Sequence, residues 1–142
     1  MPHFESITLT TAGSVGRPTL EFKPNRAGNG VFFWRNSELH GIDNPAVRPT
    51  ISMSNVMPSK TSKLQRTRIK IEIPIPKVEE ASGDKLNVLN YLVACDIELR
   101  VPDAAVVESR NILMDVLVAL LSTAESQEYL RSLVVSGDGI YA

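Results

Sequence analysis

The chain has 142 residues, 43% of them hydrophobic and 22% charged, with a formal net charge of −1. That length buries a real core without metal or disulfide staples and predicts one domain over residues 1–142. A single cysteine, Cys95, excludes an intrachain disulfide and fits a reducing compartment. The start "MPHFESITLT" lacks the basic region and apolar run of a secretion signal. The longest apolar region, "ILMDVLVALL", is too short to span a membrane and contains Asp115, so no membrane partner is expected.

Taken in chain order, Ser6–Thr11 and Thr19–Lys23 read as short strands joined by a Gly-containing turn. "NRAGNG" reads as a loop on its Gly and Asn punctuation. Val31–Arg35 is aromatic and β-prone, and "NSELHGIDNPAVRP" is a second loop. Thr50–Ser54 alternates polar and apolar residues. "NVMPSKTSK" reads as an exposed loop, since Pro58 bars a central strand. Leu64–Ile73 is the cleanest strand, with period two over its second half. A long polar loop is expected over Ile75–Asn90, followed by a strand over Leu89–Val101. In that strand Leu89, Tyr91, Val93, Cys95, Ile97, Leu99 and Val101 share one side. After Pro102 the period changes. Asp103 is the expected cap of a helix ending near Ser122, and a second helix is expected over Ala124–Val135. Strands first and helices last predict an α+β class with a mainly antiparallel sheet.

Two features bear on function. Between Arg48 and Lys77 lie seven cations and one anion, Glu72, giving +6 there and −7 for the remainder. Within that span "QRTRIKIEIP" sets Arg66, Arg68 and Lys70 on one strand face and Ile69, Ile71 and Ile73 on the other. Alternate side chains on a strand stand about 7 Å apart, near the phosphate spacing of an extended nucleic acid strand. The split points to a local anionic partner; a solvated strand face is the plain alternative. Secondly, Ile112, Leu113, Met114, Val116, Leu117, Val118, Leu120 and Leu121 leave the first helix apolar nearly all round. Such a helix is covered on more than one side, by a second subunit or by its own hairpin and second helix.

An enzyme is disfavoured. His3 and His40 are the only histidines, and each falls in a loop or terminus. No catalytic triad, phosphate-binding Gly loop or Cys/His metal spacing is present, so no cofactor is expected. Glu79 and Glu80 read as solvated loop residues.

The fragments "NGVFFW" (Asn29–Trp34), "IKIEIP" (Ile69–Pro74) with "PKV" (Pro76–Val78), "IELRVP" (Ile97–Pro102) and "GIY" (Gly139–Tyr141) resemble, in joint order, the coat proteins of the single-stranded RNA bacteriophages, the leviviruses. The resemblance spans nearly the whole chain. It implies an N-terminal hairpin (1–24), a five-stranded antiparallel sheet (30–101, with the loop 75–90), two C-terminal helices (103–135) and a tail (136–142). It further implies an intertwined homodimer with a continuous ten-stranded sheet. Dimers would build an icosahedral virion, assembled in a bacterial cytoplasm, with the sheet facing the single-stranded RNA genome. The same sheet would bind an RNA hairpin and repress replicase translation. Carried across by position, the implied RNA face is Val31, Ser52, Ser54, Arg66, Arg68, Lys70, Asp96 and Glu98. Phosphate contact falls to the cations, base-edge or backbone contact to the serines, and selectivity to the acids. Cross-strand pairing of those acids with the basic row is the alternative. Family members place a base-stacking aromatic two residues before the position of Asp96; here Ala94 stands there, and Phe33 shares the RNA-side parity. The loop 75–90 matches the segment lining shell openings, and without a cysteine in it the shell is expected to be non-covalent. A small dimeric RNA-binding regulator that forms no shell would share the basic face and the covered helix.

Overall fold

A computed structural model describes residues 5–10, 19–37, 39–40 and 44–136, with the side chains of Arg26 and Ser136 excepted. His3, the turn between the first two strands and the "GIY" terminus lie outside the described residues. The chain forms two compact units that divide between Arg100 and Val101.

The first unit is an antiparallel meander of six strands in the order β1-β2-β3-β4-β5-β6. They are β1 (Ile7–Thr10), β2 (Thr19–Gly28), β3 (Val31–Arg35), β4 (Thr50–Val56), β5 (Leu64–Val78) and β6 (Lys85–Pro102). β2 serves two pairings. Thr19 to Phe22 pair with β1, and Lys23 to Gly28 pair with β3 across an irregularity between Pro24 and Arg26. Within the span expected to hold five sheet strands (30–101) there are four, β3–β6; β2, expected only as half of the hairpin with β1, is also the fifth strand of the sheet.

Two stretches expected as loops are strands. "NRAGNG" continues β2 as far as Gly28, because the irregularity absorbs Pro24, which has no N–H to give the ladder. Only Asn29 (φ 53°) and Gly30 (φ 74°) turn, the paired positive φ of a two-residue hairpin. The expected loop over Ile75–Asn90 shrinks to Glu79–Asp84, since β5 runs to Val78 and β6 starts at Lys85. β4 pairs with β5 only from Arg66 to Glu72. Pro74 and Pro76 lie beyond that ladder, so their missing N–H groups break none of its bonds. The turn closes with the Glu79 N–H donating to the Asp84 carbonyl (2.9 Å) and the Gly83 N–H to the Glu79 carbonyl (2.8 Å). Gly83 takes φ 74°, a conformation that favours glycine.

The core lies on one face of the sheet. Leu20, Phe22, Trp34 and Ile51 are buried, and Ile7, Phe32, Leu39, Met53 and Ile71 pack against them. Burying each large apolar side chain contributes about 1.5–3 kcal/mol. The Trp34 indole N–H donates to the Glu5 carbonyl at 2.7 Å, so the one polar edge of this core aromatic is satisfied. Fully buried Asn36 anchors the β3–β4 connection. Its Nδ2 donates to the Glu21 carbonyl (2.8 Å), its Oδ1 accepts from the Leu39 N–H (2.9 Å), and its own N–H donates to the Pro49 carbonyl (2.9 Å).

In the second unit, α1 spans Val107–Ser122 and α2 spans Ala124–Arg131, followed by a single π turn at Ser132–Ser136. Asp103 is not the cap of α1. The N-cap is Val106, without a side-chain hydrogen bond, because residues after Pro102 first make a turn in which the Ala105 N–H donates to the Pro102 carbonyl (3.0 Å). Glu108 in the first turn complements the helix dipole instead. Extended Thr123 (ψ 132°) separates the helices. The second helix ends its α-helical part at Arg131, short of the expected Val135. No residue of α1 is buried in the single chain.

Candidate nucleic-acid interface

The side chains opposite the core make an ordered grid. Val31 of β3 pairs with Ser54 of β4, which pairs with Arg68 of β5. One step along, Phe33 pairs with Ser52 and Ser52 with Lys70. The next row is Arg35, Thr50 and Glu72, and Val56 pairs with Arg66 at the far end. Period-two alternation puts all of these on one face, while Phe32, Trp34, Ile51, Met53 and Ile71 occupy the other. Arg66 and Arg68 are exposed, with Ser52, Ser54 and Lys70 half-buried between neighbouring strands.

β6 brings the acids to the same cations. Asp96 acts on Lys70, and Arg66 and Arg68 act on Glu98. In β6, Ile97, Leu99 and Val101 are partly buried while Glu98 and Arg100 are exposed, so the expected parity holds at this end of the strand. All eight residues of the implied RNA face thus belong to one surface.

The closest ion pairs run along strands, not across them. The Lys70 ammonium lies 2.5 Å from Glu72. Arg100 donates to Glu98 Oε2 through Nε at 2.8 Å and Nη2 at 2.7 Å. Residues two apart on a strand share a face, so both pairs lie in the grid. The hydrogen bond to Glu72, then its charge, raises the Lys70 pKa, with Asp96 adding to this and Arg68 opposing it. The Arg100 hydrogen bond holds the Glu98 carboxyl below its usual range, and Arg66 and Arg68 act in the same direction. Glu72 and Arg100 also belong to this surface, beyond the eight residues that the resemblance implies. Their sequence signal is "KIE" and "ELR", opposite charges two apart on a strand.

Phe33 faces outward beside a cleft of about 340 Å³, lined also by Ala27, Gly28, Asn29 and Val31. Ala94 lies on a smaller apolar cleft of about 190 Å³ with Ile71, Ile73, Val93 and Cys95. Cys95, given core parity by alternation, is an exposed free thiol. The buried cluster draws on β2, β3 and β4 and leaves the first half of β6, the edge strand, uncovered in the single chain. Among the described residues no group of three His, Cys, Asp or Glu side chains converges as a metal site.

The levivirus coat protein family matches residues 2–141. In fold, the chain is similar to the protein of the virus-like particle of Beihai levi-like virus 21, with 15% identity and a TM-score of 0.78 over 99% of this chain and 100% of that one. It is also similar to the bacteriophage GA capsid protein, at 18% identity and a TM-score of 0.68 over 98% of each chain. A third similar structure is an unassembled virus coat protein dimer, described as a bacteriophage RNA-binding dimer, at 20% identity and a TM-score of 0.61 over 98% of each chain. Identities this low speak for the fold alone. No curated protein matches the chain in sequence. The family match over nearly its entire length decides the matter: the chain belongs to the levivirus coat protein family and is a structural capsid protein of an RNA bacteriophage.

Proposed function

We propose that two copies of this coat protein pair through β6 and α1, that the dimers close into an icosahedral shell, and that the grid face lines its interior against single-stranded RNA. The observation that carries the RNA assignment is the register of Arg68 and Lys70 with Ser54 and Ser52, on a protein whose net charge is −1. A cationic column at phosphate spacing beside small hydroxyl groups suits a sugar–phosphate backbone. Arg66, Arg68 and Lys70 supply affinity without reading sequence. Ser52 and Ser54 hydrogen-bond to backbone or base edges, and Val31 gives apolar contact. Asp96 and Glu98 accept hydrogen bonds from bases and repel misplaced phosphates. The same face, engaging a hairpin at the replicase start, would repress translation. Assembly would take place in the bacterial cytoplasm.

Pairing is supported by exposed apolar surface. β6 is an edge strand 18 residues long, and an uncovered edge of that length is a template for a second strand. Leu86, Val88, Leu89, Tyr91, Leu92 and Val93 along it are all exposed in the single chain. On α1, Val116 is 61% and Val118 58% exposed. Soluble monomers rarely leave contiguous apolar surface of this kind open. The short turn Glu79–Asp84, polar and Gly-bearing, would lie at the shell openings.

Expressed protein is expected to elute as a large particle whose RNA survives nuclease treatment. Recovery of free dimers alone, across several buffers and in the presence of RNA, would refute shell formation.

A further inference from the structure

β5 outruns its neighbour. Its ladder with β4 ends at Thr50 and Glu72, yet the strand continues to Val78, and β6 returns from Lys85. Beyond Glu72 the hairpin is an arm without β4 beside it, and the β3–β4 connection takes that place. The connection reaches both strands of the arm. His40 Nε2–H donates to the Pro74 carbonyl of β5 at 2.7 Å, and Asn44 Nδ2 donates to the Asn87 carbonyl of β6 at 3.4 Å. We propose that His40 is an acid-released latch: its neutral ring holds the β5–β6 arm to the body of the sheet, and protonation of the ring frees the arm to pivot beyond Glu72. Only a single chain is needed for this, whatever the RNA face or the shell does.

The latch stands on anchored backbone. Leu39, next to His40, packs against the core, and its N–H donates to Oδ1 of buried Asn36 at 2.9 Å. On the other side Val47 is fully buried in the helical turn Pro45–Val47, whose Ala46 N–H donates to Asn44 Oδ1 at 3.0 Å. On the arm, Pro74 has no N–H, so its carbonyl is the backbone group it can offer, and the imidazole takes it. The ring's other nitrogen decides the response to acid. Nδ1 is buried and finds no hydrogen-bond partner among the described residues. A second proton would leave an N–H there without an acceptor and a charge in a partly dry site. The groups around the ring do not help that charge. β5 meets it with the Pro74 carbonyl, and Lys85 of β6 repels it. The described part of the connection carries one charged side chain, Arg48, also a cation. No described carboxylate acts on the ring. Burial, with Lys85 in the same direction and the Pro74 bond opposing, lowers the His40 pKa from 6.5. The imidazolium is therefore more stable in water than in the latch, and acid favours the open arm.

Hydrogen exchange of the full-length protein, read by mass spectrometry and divided by the intrinsic chemical rate at each pH, reports the arm directly. In the wild type, exchange over Ile73–Asn87 should rise several-fold between pH about 7.5 and about 5, by at most about tenfold for each pH unit below 6.5, while β3 and β4 stay protected. His40→Gln keeps an N–H donor for the Pro74 carbonyl and takes up no proton, so its arm should be equally protected at both pH values. His40→Ala removes the latch, and its arm should exchange about 2- to 12-fold faster than the wild type at the higher pH, the usual effect of losing one hydrogen bond. Wild-type protection that acid leaves unchanged overturns the proposal. So does an acid response of equal size in His40→Gln, which places the titrating group elsewhere, or an equal rise across β3 and β4, which is general acid unfolding. Should His40→Ala fold poorly, the comparison of wild type with His40→Gln decides alone.

Discussion

Lys70 shows how a single residue's task is set by its neighbours. Its ammonium faces a phosphate-spaced column of cations, yet it is tied to Glu72 on its own strand. An exposed, solvent-screened pair of this kind contributes little to stability. It is therefore weak enough for a phosphate to displace, and Glu72 tempers affinity more than it builds stability. Glu72→Gln should tighten RNA binding by about 1.5- to 5-fold at each face, measured by titration at fixed salt. An unchanged or weaker affinity would mean that Lys70 does not meet the RNA. At this scale the sequence is informative about which face a residue of β3, β4, β5 or the end of β6 takes, because period two is a hard geometric rule; Cys95, with core parity, is exposed because nothing covers the first half of β6 in the single chain. It was less informative about partners. Cross-strand pairing of Asp96 and Glu98 competes with the along-strand bond from Arg100, and only coordinates show that Arg100 supplies the hydrogen bonds to Glu98.

Elements were legible in kind and poorly bounded. Every expected strand and both helices exist within the described residues, but Gly, Asn and Pro mark the strand ends less sharply than their turn preferences predict. Pro24 is absorbed by a sheet irregularity, and Pro74 and Pro76 lie past the end of the β4 ladder. The β5–β6 hairpin is consequently longer than the alternation alone predicted, and the β3–β4 connection ties onto it. His40 Nε2–H donates to the Pro74 carbonyl at 2.7 Å, and Asn44 Nδ2 to the Asn87 carbonyl at 3.4 Å. Burial lowers the His40 pKa from 6.5, against the opposing pull of the Pro74 carbonyl and with help from the Lys85 charge. Among the described residues the buried Nδ1 finds no hydrogen-bond partner, as suits a neutral ring. The sign follows from linkage. Below pH 6.5 the unfolded chain takes up the proton first, so stability falls as pH drops from 6.5 toward the lowered folded value. Thermal unfolding at pH 7.5 and 5.5 should show a larger loss for the wild type than for His40→Gln, which cannot charge. Equal losses would remove His40 from the hairpin's attachment.

At the scale of the whole molecule, a near-neutral chain concentrates positive charge on one side of its sheet and leaves β6 and α1 apolar and uncovered. The first feature fits a packaged polyanion and the second a partner copy. The pervasive apolarity of α1 was visible in the sequence; its cover was not, because a single chain does not contain it. The most direct measurement of the central claim is the salt dependence of RNA binding. If each dimer presents Arg66, Arg68 and Lys70 twice, about six phosphates are neutralised, and log affinity should fall against log salt with a slope of about −4. Arg68→Ala with Lys70→Ala should flatten that slope to about −1 to −2, with the circular dichroism of the folded protein retained. A slope that stays at the wild-type value in the folded double variant would contradict the claim that this face holds the genome.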